Sequence, residues 1–95
     1  MPLTPTADPG HHHFAADVVY FYMDNGEQRV RCGVSRLVLE ILEPDLPPTK
    51  QGRVEAFKQR RARIERAASA KFDRGELEPD GGTVLVRVAD LFGAR

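Results

Sequence analysis

The sequence predicts a small two-layer α+β domain in the order β-β-α-α-β, with a three-stranded antiparallel sheet and two helices on one face. Three observations support this prediction. Residues 17–23 and 28–34 are rich in β-branched or alternating apolar side chains and flank Asn25-Gly26, a typical hairpin turn. Residues 53–74 repeat apolar side chains at helical spacing. Residues 83–88 alternate again, as a third strand would.

Residues 1–13 are expected to form a disordered tail, and residues 14–95 a single α+β domain. The first segment holds three prolines, Gly10 and the run His11–His13, with little apolar surface to bury. It is either a native tail or the remnant of an expression tag. A chain of 95 residues is long enough for one domain only.

The hairpin assigns the strand residues to the two faces of the sheet. A two-residue turn at Asn25-Gly26 pairs Phe21 with Val30, whereas a three-residue loop with Gly26 as a bulge changes the pairing. Side chains alternate between faces along each strand, so one pair places all the others. With the two-residue turn, the buried face is expected to contain Val19, Phe21, Met23, Val30, Cys32 and Val34.

Two helices are predicted between the hairpin and the last strand. The first spans residues 36–43, with Ser35 as N-cap and Pro44 as its end, because the residue before a proline avoids helical geometry. The second spans residues 53–74 and is ended by Gly75. The first is expected to face the core with Leu37, Val38, Ile41 and Leu42. The second is expected to do so with Val54, Phe57, Ile64, Ala68 and Phe72.

Short motifs between Val19 and Lys71 resemble a known family. They consist of Val19, Phe21, Gly26, Val30, Cys32, Val34 and Ser35, followed by Phe57, Arg61, Ile64, Glu65, Ala68 and Lys71. In these residues the chain resembles the bacterial domain-of-unknown-function family 1488 (DUF1488), over more than half of its length. The resemblance implies a small α+β domain from a bacterium. It implies no activity, since none is established for the family.

Composition narrows the choice of compartment and partner. The 14 basic and 14 acidic residues leave no net charge, so whole-chain charge gives no argument for a nucleic-acid or membrane partner. No apolar run reaches the roughly 18 residues of a membrane span, and the N-terminus lacks the pattern of a secretory signal. The single cysteine, Cys32, excludes an internal disulfide. We therefore expect a cytoplasmic protein with no membrane partner.

The sequence contains no recognisable catalytic, cofactor or metal site. Cys32 faces the core of a strand, where packing is the plainer interpretation than nucleophilic chemistry. His11–His13 are adjacent on a flexible segment and make a poor metal site. The acidic residues fall in turns and on helix surfaces, and no phosphate-binding loop or nucleophile elbow is present. We expect that the protein is not an enzyme and binds no cofactor or metal.

The outer face of the sheet is the first candidate interaction surface. Alternation in the last strand buries Val84, Val86 and Val88. Aromatic and basic residues on the opposite side can stack single-stranded bases or meet a second copy of the chain, whereas ordinary cross-strand packing needs no partner. This candidate surface consists of Tyr20, Tyr22, Arg29, Arg31, Leu85 and Arg87.

The second predicted helix supplies two further candidates. Residues 53–74 hold eight basic and three acidic residues, and a basic face is formed by Arg60, Arg63, Arg66 and Arg74. That face either neutralises phosphates or is simply solvated. Arg61 lies within the apolar stripe, one turn from Glu65. This seam pair either contacts an anionic ligand, or the stem of Arg61 covers apolar surface while its head reaches Glu65 or water.

Taken together, the residues favour a small binding or accessory protein that acts through protein–protein interaction. We expect a homodimer formed through the outer sheet face, with an unidentified protein partner. The alternative is a weak, non-specific nucleic-acid binder that uses the basic helix or the Tyr/Arg sheet face.

Overall fold

A computed structural model describes residues 3–6, 10–13, 18–26, 28–79 and 82–92, with the main chain alone for 11–13. Its strands are β1 (Thr4–Pro5), β2 (His11–His13), β3 (Val18–Asn25), β4 (Gln28–Ser35) and β5 (Val84–Val86). Its helices are α1 (Arg36–Leu42), α2 (Lys50–Gln59), α3 (Arg61–Asp73) and α4 (Val88–Phe92). The predicted α+β class is confirmed.

The helices cover one face of a mixed sheet. The strand order is β1-β3-β4-β5, and β2 pairs with β3 on the same side as β1. A single core cluster joins the inner face of the sheet to α1, α2 and α3. Its largest fully buried members include Phe21, Met23, Leu39, Phe57 and Ile64.

The prediction of a three-stranded, wholly antiparallel sheet is wrong. Within the described residues five strands form the sheet, and β5 runs parallel to β4, pairing Cys32 with Val84 and Val34 with Val86. Parallel neighbours need a long crossover, which the three helices between β4 and β5 provide. Alternation correctly buries Val84 and Val86, but it carries no information on strand direction. Val88, expected inside the last strand, instead begins α4 and is half-buried.

The expectation of a disordered tail does not hold for the part of residues 1–13 that the structure describes. β1 and β2 pair with β3, and Leu3 is buried in the core. The Thr6 hydroxyl donates to the main-chain oxygen of Tyr22 at 2.8 Å, and the Leu3 N–H donates to Ser69 Oγ at 3.0 Å. These bonds and the buried leucine offset the cost of ordering a segment that is rich in proline and glycine. Residues 14–17, the predicted start of the domain, lie outside the described residues.

The hairpin turn lies one residue further along the chain than predicted. Phe21 pairs with Cys32 and Asn25 with Gln28, so Gly26 takes the first position of the turn, with φ at 63°. Mirror-image hairpin turns require a positive φ there, which glycine adopts without strain. Because this changes every pair by two residues, each side chain keeps its predicted face. Phe21, Cys32, Ile64 and Val86 are buried as expected, whereas Val30 is only half-buried.

The single helix predicted over residues 53–74 is in fact two helices. The Thr49 hydroxyl accepts the N–H of Gly52 and starts α2 three residues early. Arg60 lies between α2 and α3 with φ −112° and ψ 18°, outside helical geometry. No proline or glycine marks this break, so local sequence did not reveal it.

The predicted core face of α1 is partly wrong. Val38 and Leu39 are buried, whereas Leu37 and Ile41 are about half exposed, at 52 % and 51 %. α1 has seven residues, five of them apolar, so periodicity alone does not choose its face. Arg36 and Arg53 both donate to the Glu40 carboxylate, which ties the polar side of α1 to α2.

Candidate functional site

Side chains of the sheet itself pack together over the middle of its outer face. Gly33 lies between Val18, Tyr20 and Leu85: a Cβ at Gly33 would come within 2.8 Å of Val18 Cγ1, 3.2 Å of Tyr20 Cδ1 and 3.3 Å of Leu85 Cδ1. Only glycine allows these three side chains to lie this close to the strand. Val18 is therefore buried, and Tyr20 and Leu85 are half-buried, on a face expected to be open.

Two arginines of β4 extend the outer face towards the hairpin turn. The Arg31 guanidinium lies 4.8 Å from the centre of the Tyr20 ring, and its Nε donates to Thr83 Oγ1 at 3.0 Å. Arg29 faces Asp24 at 3.5 Å, and 63 % of its side chain is exposed. Arg31 is thus fixed by a stacking contact and a hydrogen bond, while Arg29 is held weakly at the surface.

Arg87, the last arginine predicted on this face, belongs to a separate cluster. Its guanidinium donates twice to the Glu78 carboxylate, at 2.9 and 3.0 Å. This two-point contact raises the pKa of Arg87 and holds the loop before β5. The candidate surface therefore divides into the closed cluster over Gly33, the Arg29–Arg31 edge and the Arg87–Glu78 pair.

A groove opens where β4 extends beyond β5. β5 pairs with residues 32–34 of β4, and no described strand pairs with residues 28–31 on that side. A groove of about 440 Å³ lies there, and Gly82 and Thr83, which lead into β5, are among the residues that line it. Its walls include Tyr22, Arg29 and Arg31 from the outer face, and Val30, Phe72 and Leu77 from the inner side. Val30 is half-buried because it lines this groove.

The two residues of the seam pair bond to each other, and Arg61 also contacts the N-terminal segment and Phe57. Arg61 Nε donates to Glu65 Oε2 at 2.8 Å, and Arg61 Nη2 donates to the main-chain oxygen of Thr6 at 3.0 Å. The guanidinium also lies 5.1 Å from the centre of the Phe57 ring. Of the two interpretations of Arg61, these contacts favour the one in which its stem covers apolar surface and its head reaches Glu65. They also tie the N-terminal segment to α3.

A buried ion pair that sequence reasoning missed fixes β5. Lys71 Nζ donates to the Leu85 carbonyl at 2.7 Å and to Asp90 Oδ2 at 2.9 Å, and only 6 % of Lys71 is exposed. Asp90 Oδ2 also accepts the Arg87 N–H at 2.7 Å, at the start of α4. Burial pushes the pKa of Asp90 upwards, but the bonds from Lys71 and Arg87 outweigh it, so the pKa lies below its ordinary value. The available signal was the position of Lys71, seven residues after Ile64 on the same helical face.

The four residues of the predicted basic face have different surroundings. Arg60, at the break between helices, donates to the Glu43 carboxylate, and Arg74 donates to Glu76. Arg63 lies over the Phe92 ring at 5.3 Å, and Arg66 is exposed. Two of the four charges are therefore already compensated by carboxylates, and the helix break separates Arg60 from the others.

Cys32 is a packing residue in this structure. It is fully buried, and burial, with a smaller contribution from the nearby Glu65 charge, raises the pKa of its thiol to about 12. A thiol with so high a pKa supplies almost no thiolate at neutral pH. In the described residues no three histidine, cysteine or acidic side chains converge on a possible metal position. The side chains of His11–His13 lie outside what the structure describes.

The sequence of the chain matches a known family model, "Protein of unknown function (DUF1488)", over residues 7–85. The chain belongs to the DUF1488 family. A crystal structure of another DUF1488 protein of unknown function, from Shewanella loihica PV-4, is similar to this chain. It has a TM-score of 0.79 and 18 % sequence identity, over 90 % of this chain and 91 % of that one. No curated protein matches.

These comparisons establish the family and the fold. At 18 % identity, the similarity to the Shewanella protein extends to the fold alone. The DUF1488 family carries no assigned activity in its description. None of the described helices combines the length and the apolar composition that crossing a membrane requires. Any function for this DUF1488 protein must therefore be argued from its own surface.

Proposed function

We propose that this DUF1488 protein is a non-catalytic binding module that engages another protein through the groove beside β4. The observation that carries the proposal is that one groove brings together apolar and basic side chains beside the part of β4 to which β5 does not extend. A partner can gain main-chain hydrogen bonds, apolar burial and charged contacts at the same place. The mixture of Tyr22 and Arg29 is also typical of interface centres and rims.

The surface chemistry supports binding better than catalysis. Burial raises the pKa of the single cysteine. Among the described carboxylates, Glu40, Glu65 and Asp90 each form an ion pair with a basic side chain. An acid–base mechanism needs a group that can take up and release a proton near neutral pH. Paired carboxylates of this kind instead hold helices and strands in place. We also propose that the protein acts in the cytoplasm, because a lone buried thiol suits a reducing compartment.

Photo-crosslinking tests the proposal. Benzoylphenylalanine in place of Tyr22 should capture a discrete protein partner in cells of the native host, and the same amino acid in place of the exposed Lys58 on α2 is the matched control. Capture should persist after nuclease treatment and fall when Arg31→Glu is added. Capture of nucleic acid, or equal capture from both positions, would contradict a protein-binding groove.

A second copy of the chain is the other candidate occupant of the outer face. Tyr20, Tyr22 and Leu85 remain half-buried there, so a symmetric dimer would cover apolar area that is still in contact with water. The closure over Gly33 reduces that gain, because Val18 is already buried within the monomer. The groove therefore supports a different protein as the partner more strongly than it supports a second copy.

Nucleic-acid binding is the alternative function for the same surface. The Arg31 guanidinium lies over the Tyr20 ring, and single-stranded bases stack on aromatic and arginine side chains of this kind. The compensated Arg60 and Arg74 weaken this alternative. If the basic residues bind phosphate, Arg60→Ala, Arg63→Ala and Arg66→Ala together should abolish most binding at low salt, measured by mobility shift with single- and double-stranded DNA and RNA. Absence of any shift for the wild-type protein would remove the alternative.

A further inference from the structure

We infer that two copies of this chain associate through the exposed apolar side of α1, with the two α1 helices antiparallel about a two-fold axis. This side of the helix consists of Leu37 and Ile41, and its occupant is the same side of a second copy. It lies at the other end of β4 from the groove, because α1 begins directly after the last residue of β4. The inference therefore goes beyond the proposed function and does not depend on it.

The apolar side of α1 belongs to a cluster of exposed apolar side chains. Leu37 and Ile41 are the most exposed large apolar side chains among the described residues, at 52 % and 51 %. They lie one turn apart and share one side of the helix, while Val38 and Leu39 face the core. Phe92, 42 % exposed, lies on α4, which contacts α1. A single exposed leucine is ordinary on a monomer, whereas a cluster of exposed apolar side chains is typical of an association surface.

The charges beside this apolar side select the direction of the pairing. Arg36 begins α1, and Glu40 follows one turn later on the same flank of the helix. When two identical helices pack antiparallel, the same flanks meet in reversed order. Arg36 of each copy then lies beside Glu40 of the other. A parallel pair would instead place like charges side by side, so complementary charge favours the antiparallel pair.

The same charges favour a second copy over an unrelated partner. Arg36 and Arg53 both donate to the Glu40 carboxylate within one chain, and these bonds are kept in the pair. The side chains of Arg36 and Glu40 are each 40 % exposed, so a second copy can add to this network. A guanidinium has five N–H donors, and a carboxylate accepts at about four positions. A partner with charge of one sign would be attracted to one of these groups and repelled by the other.

The size of the surface implies a weak dimer, which sedimentation equilibrium measures. Stable interfaces bury about 800 Å² on each partner, more than a few half-exposed side chains supply, so we expect a dissociation constant of about 100 µM. Between about 10 µM and about 1 mM the mass should rise from 10.6 kDa towards twice that value. A mass of 10.6 kDa at every concentration would overturn the inference.

Substitutions locate the interface. Leu37→Gln should raise the dissociation constant about tenfold, because the dimer loses one apolar contact from each copy. The matched control is Leu77→Gln, a leucine that is 44 % exposed on the wall of the groove, and it should leave association unchanged. Tyr20→Glu with Tyr22→Glu should also leave it unchanged. Equal weakening by Leu37→Gln and either control would refute the α1 interface, and urea unfolding confirms that each variant is folded.

Exchange of charges tests the antiparallel direction. Arg36→Glu alone and Glu40→Arg alone each place like charges side by side across the pair, so each variant should associate about tenfold more weakly than wild type. An equimolar mixture of the two variants restores opposite charges at both contacts and should associate as tightly as wild type. Mixing does not repair a folding defect. A mixture as weak as the separate variants would contradict the proposed pairing.

Cross-linking gives an independent readout of the same geometry. The antiparallel pair places Leu37 of one copy beside Ile41 of the other. When Leu37→Cys chains are mixed with Ile41→Cys chains and oxidised in air, the mixed disulfide should form faster than either disulfide between identical chains. The native Cys32 is fully buried and stays out of the reaction. Faster bonding between two Leu37→Cys chains would show a parallel pair and overturn the inference.

Discussion

Removing the charge of Lys71 should cost about 3 kcal/mol of unfolding free energy. In Lys71→Met the stem is kept, but Leu85 O and Asp90 Oδ2 lose a donor at 2.7 and 2.9 Å. Breaking a buried pair from one side typically costs about 3–5 kcal/mol. We expect the lower end, because Asp90 keeps its bond from the Arg87 N–H.

Urea unfolding followed by circular dichroism measures this loss. With an m-value of about 1.5 kcal/mol/M, the expected cost lowers the unfolding midpoint by about 2 M. Lys58→Met, an exposed lysine on α2, is the matched control and should change stability by no more than about 0.5 kcal/mol. A Lys71→Met protein that is as stable as this control would refute the buried pair.

The pH dependence provides a second measurement of the same pair. The folded-state pKa of Asp90 lies below its ordinary value of 3.8, so its carboxylate contributes stability that is complete above about pH 4. That contribution is lost as the pH falls through the folded-state pKa. In Lys71→Met the pKa of Asp90 should rise, because burial remains while the lysine is gone. The acid-dependent loss of stability due to Asp90 should then be smaller, because its folded-state pKa moves towards that of the unfolded chain, and an unchanged pH dependence of the unfolding free energy would contradict this mechanism.

Three further predictions concern the core and the outer face. Phe21→Ala should cost about 3–5 kcal/mol, because Phe21 is fully buried with its ring 4.7 Å from that of Phe57; a midpoint near wild type in urea would contradict this. Cys32 should resist iodoacetamide at pH 8 in the folded protein and react after denaturation, since its thiol has a pKa of about 12; rapid labelling of the native protein would contradict its burial. Any dimer formed through the outer face should dissociate in Tyr20→Glu with Tyr22→Glu. Light scattering should then show a mass near 10.6 kDa, and a larger mass that is unchanged in this variant would place the interface elsewhere.

The sequence patterns predicted which strand side chains face the core more accurately than they predicted strand direction and pairing. The alternation of Phe21, Cys32 and Val86 identified the buried side even though the hairpin pairing differed by two residues. Direction and register depend on contacts between distant segments, which a local pattern does not contain. The parallel pairing of β5 was therefore missed.

The N-terminal segment and the helix break were missed for a related reason. The Thr6 hydroxyl bonds to β3 and the Leu3 N–H bonds to α3, and these contacts order the described part of residues 1–13 although the local composition indicates disorder. Arg60 interrupts the helices without a proline or glycine. In the N-terminal segment tertiary contacts outweigh local propensity.

The sequence predicted the residues of one wall of the candidate groove but not those of the other. Strand alternation and composition identified Tyr22, Arg29 and Arg31, because alternation along a strand assigns each side chain to one face of the sheet. The opposite wall comes from the end of α3 and the following loop, with Phe72 and Leu77. Only the folded chain brings these residues beside β4, where β5 is too short to cover them.

Hydrogen exchange of the β4 amides tests most directly whether this edge is the binding site. In the free protein, the outward-facing amide of Arg29 should exchange quickly, since β5 does not pair with it. With a saturating amount of the partner captured through Tyr22, we expect its exchange to slow at least tenfold, while amides in the middle of α2 keep their rates. Binding that protects the helices and leaves residues 28–31 unchanged would contradict the groove as the site.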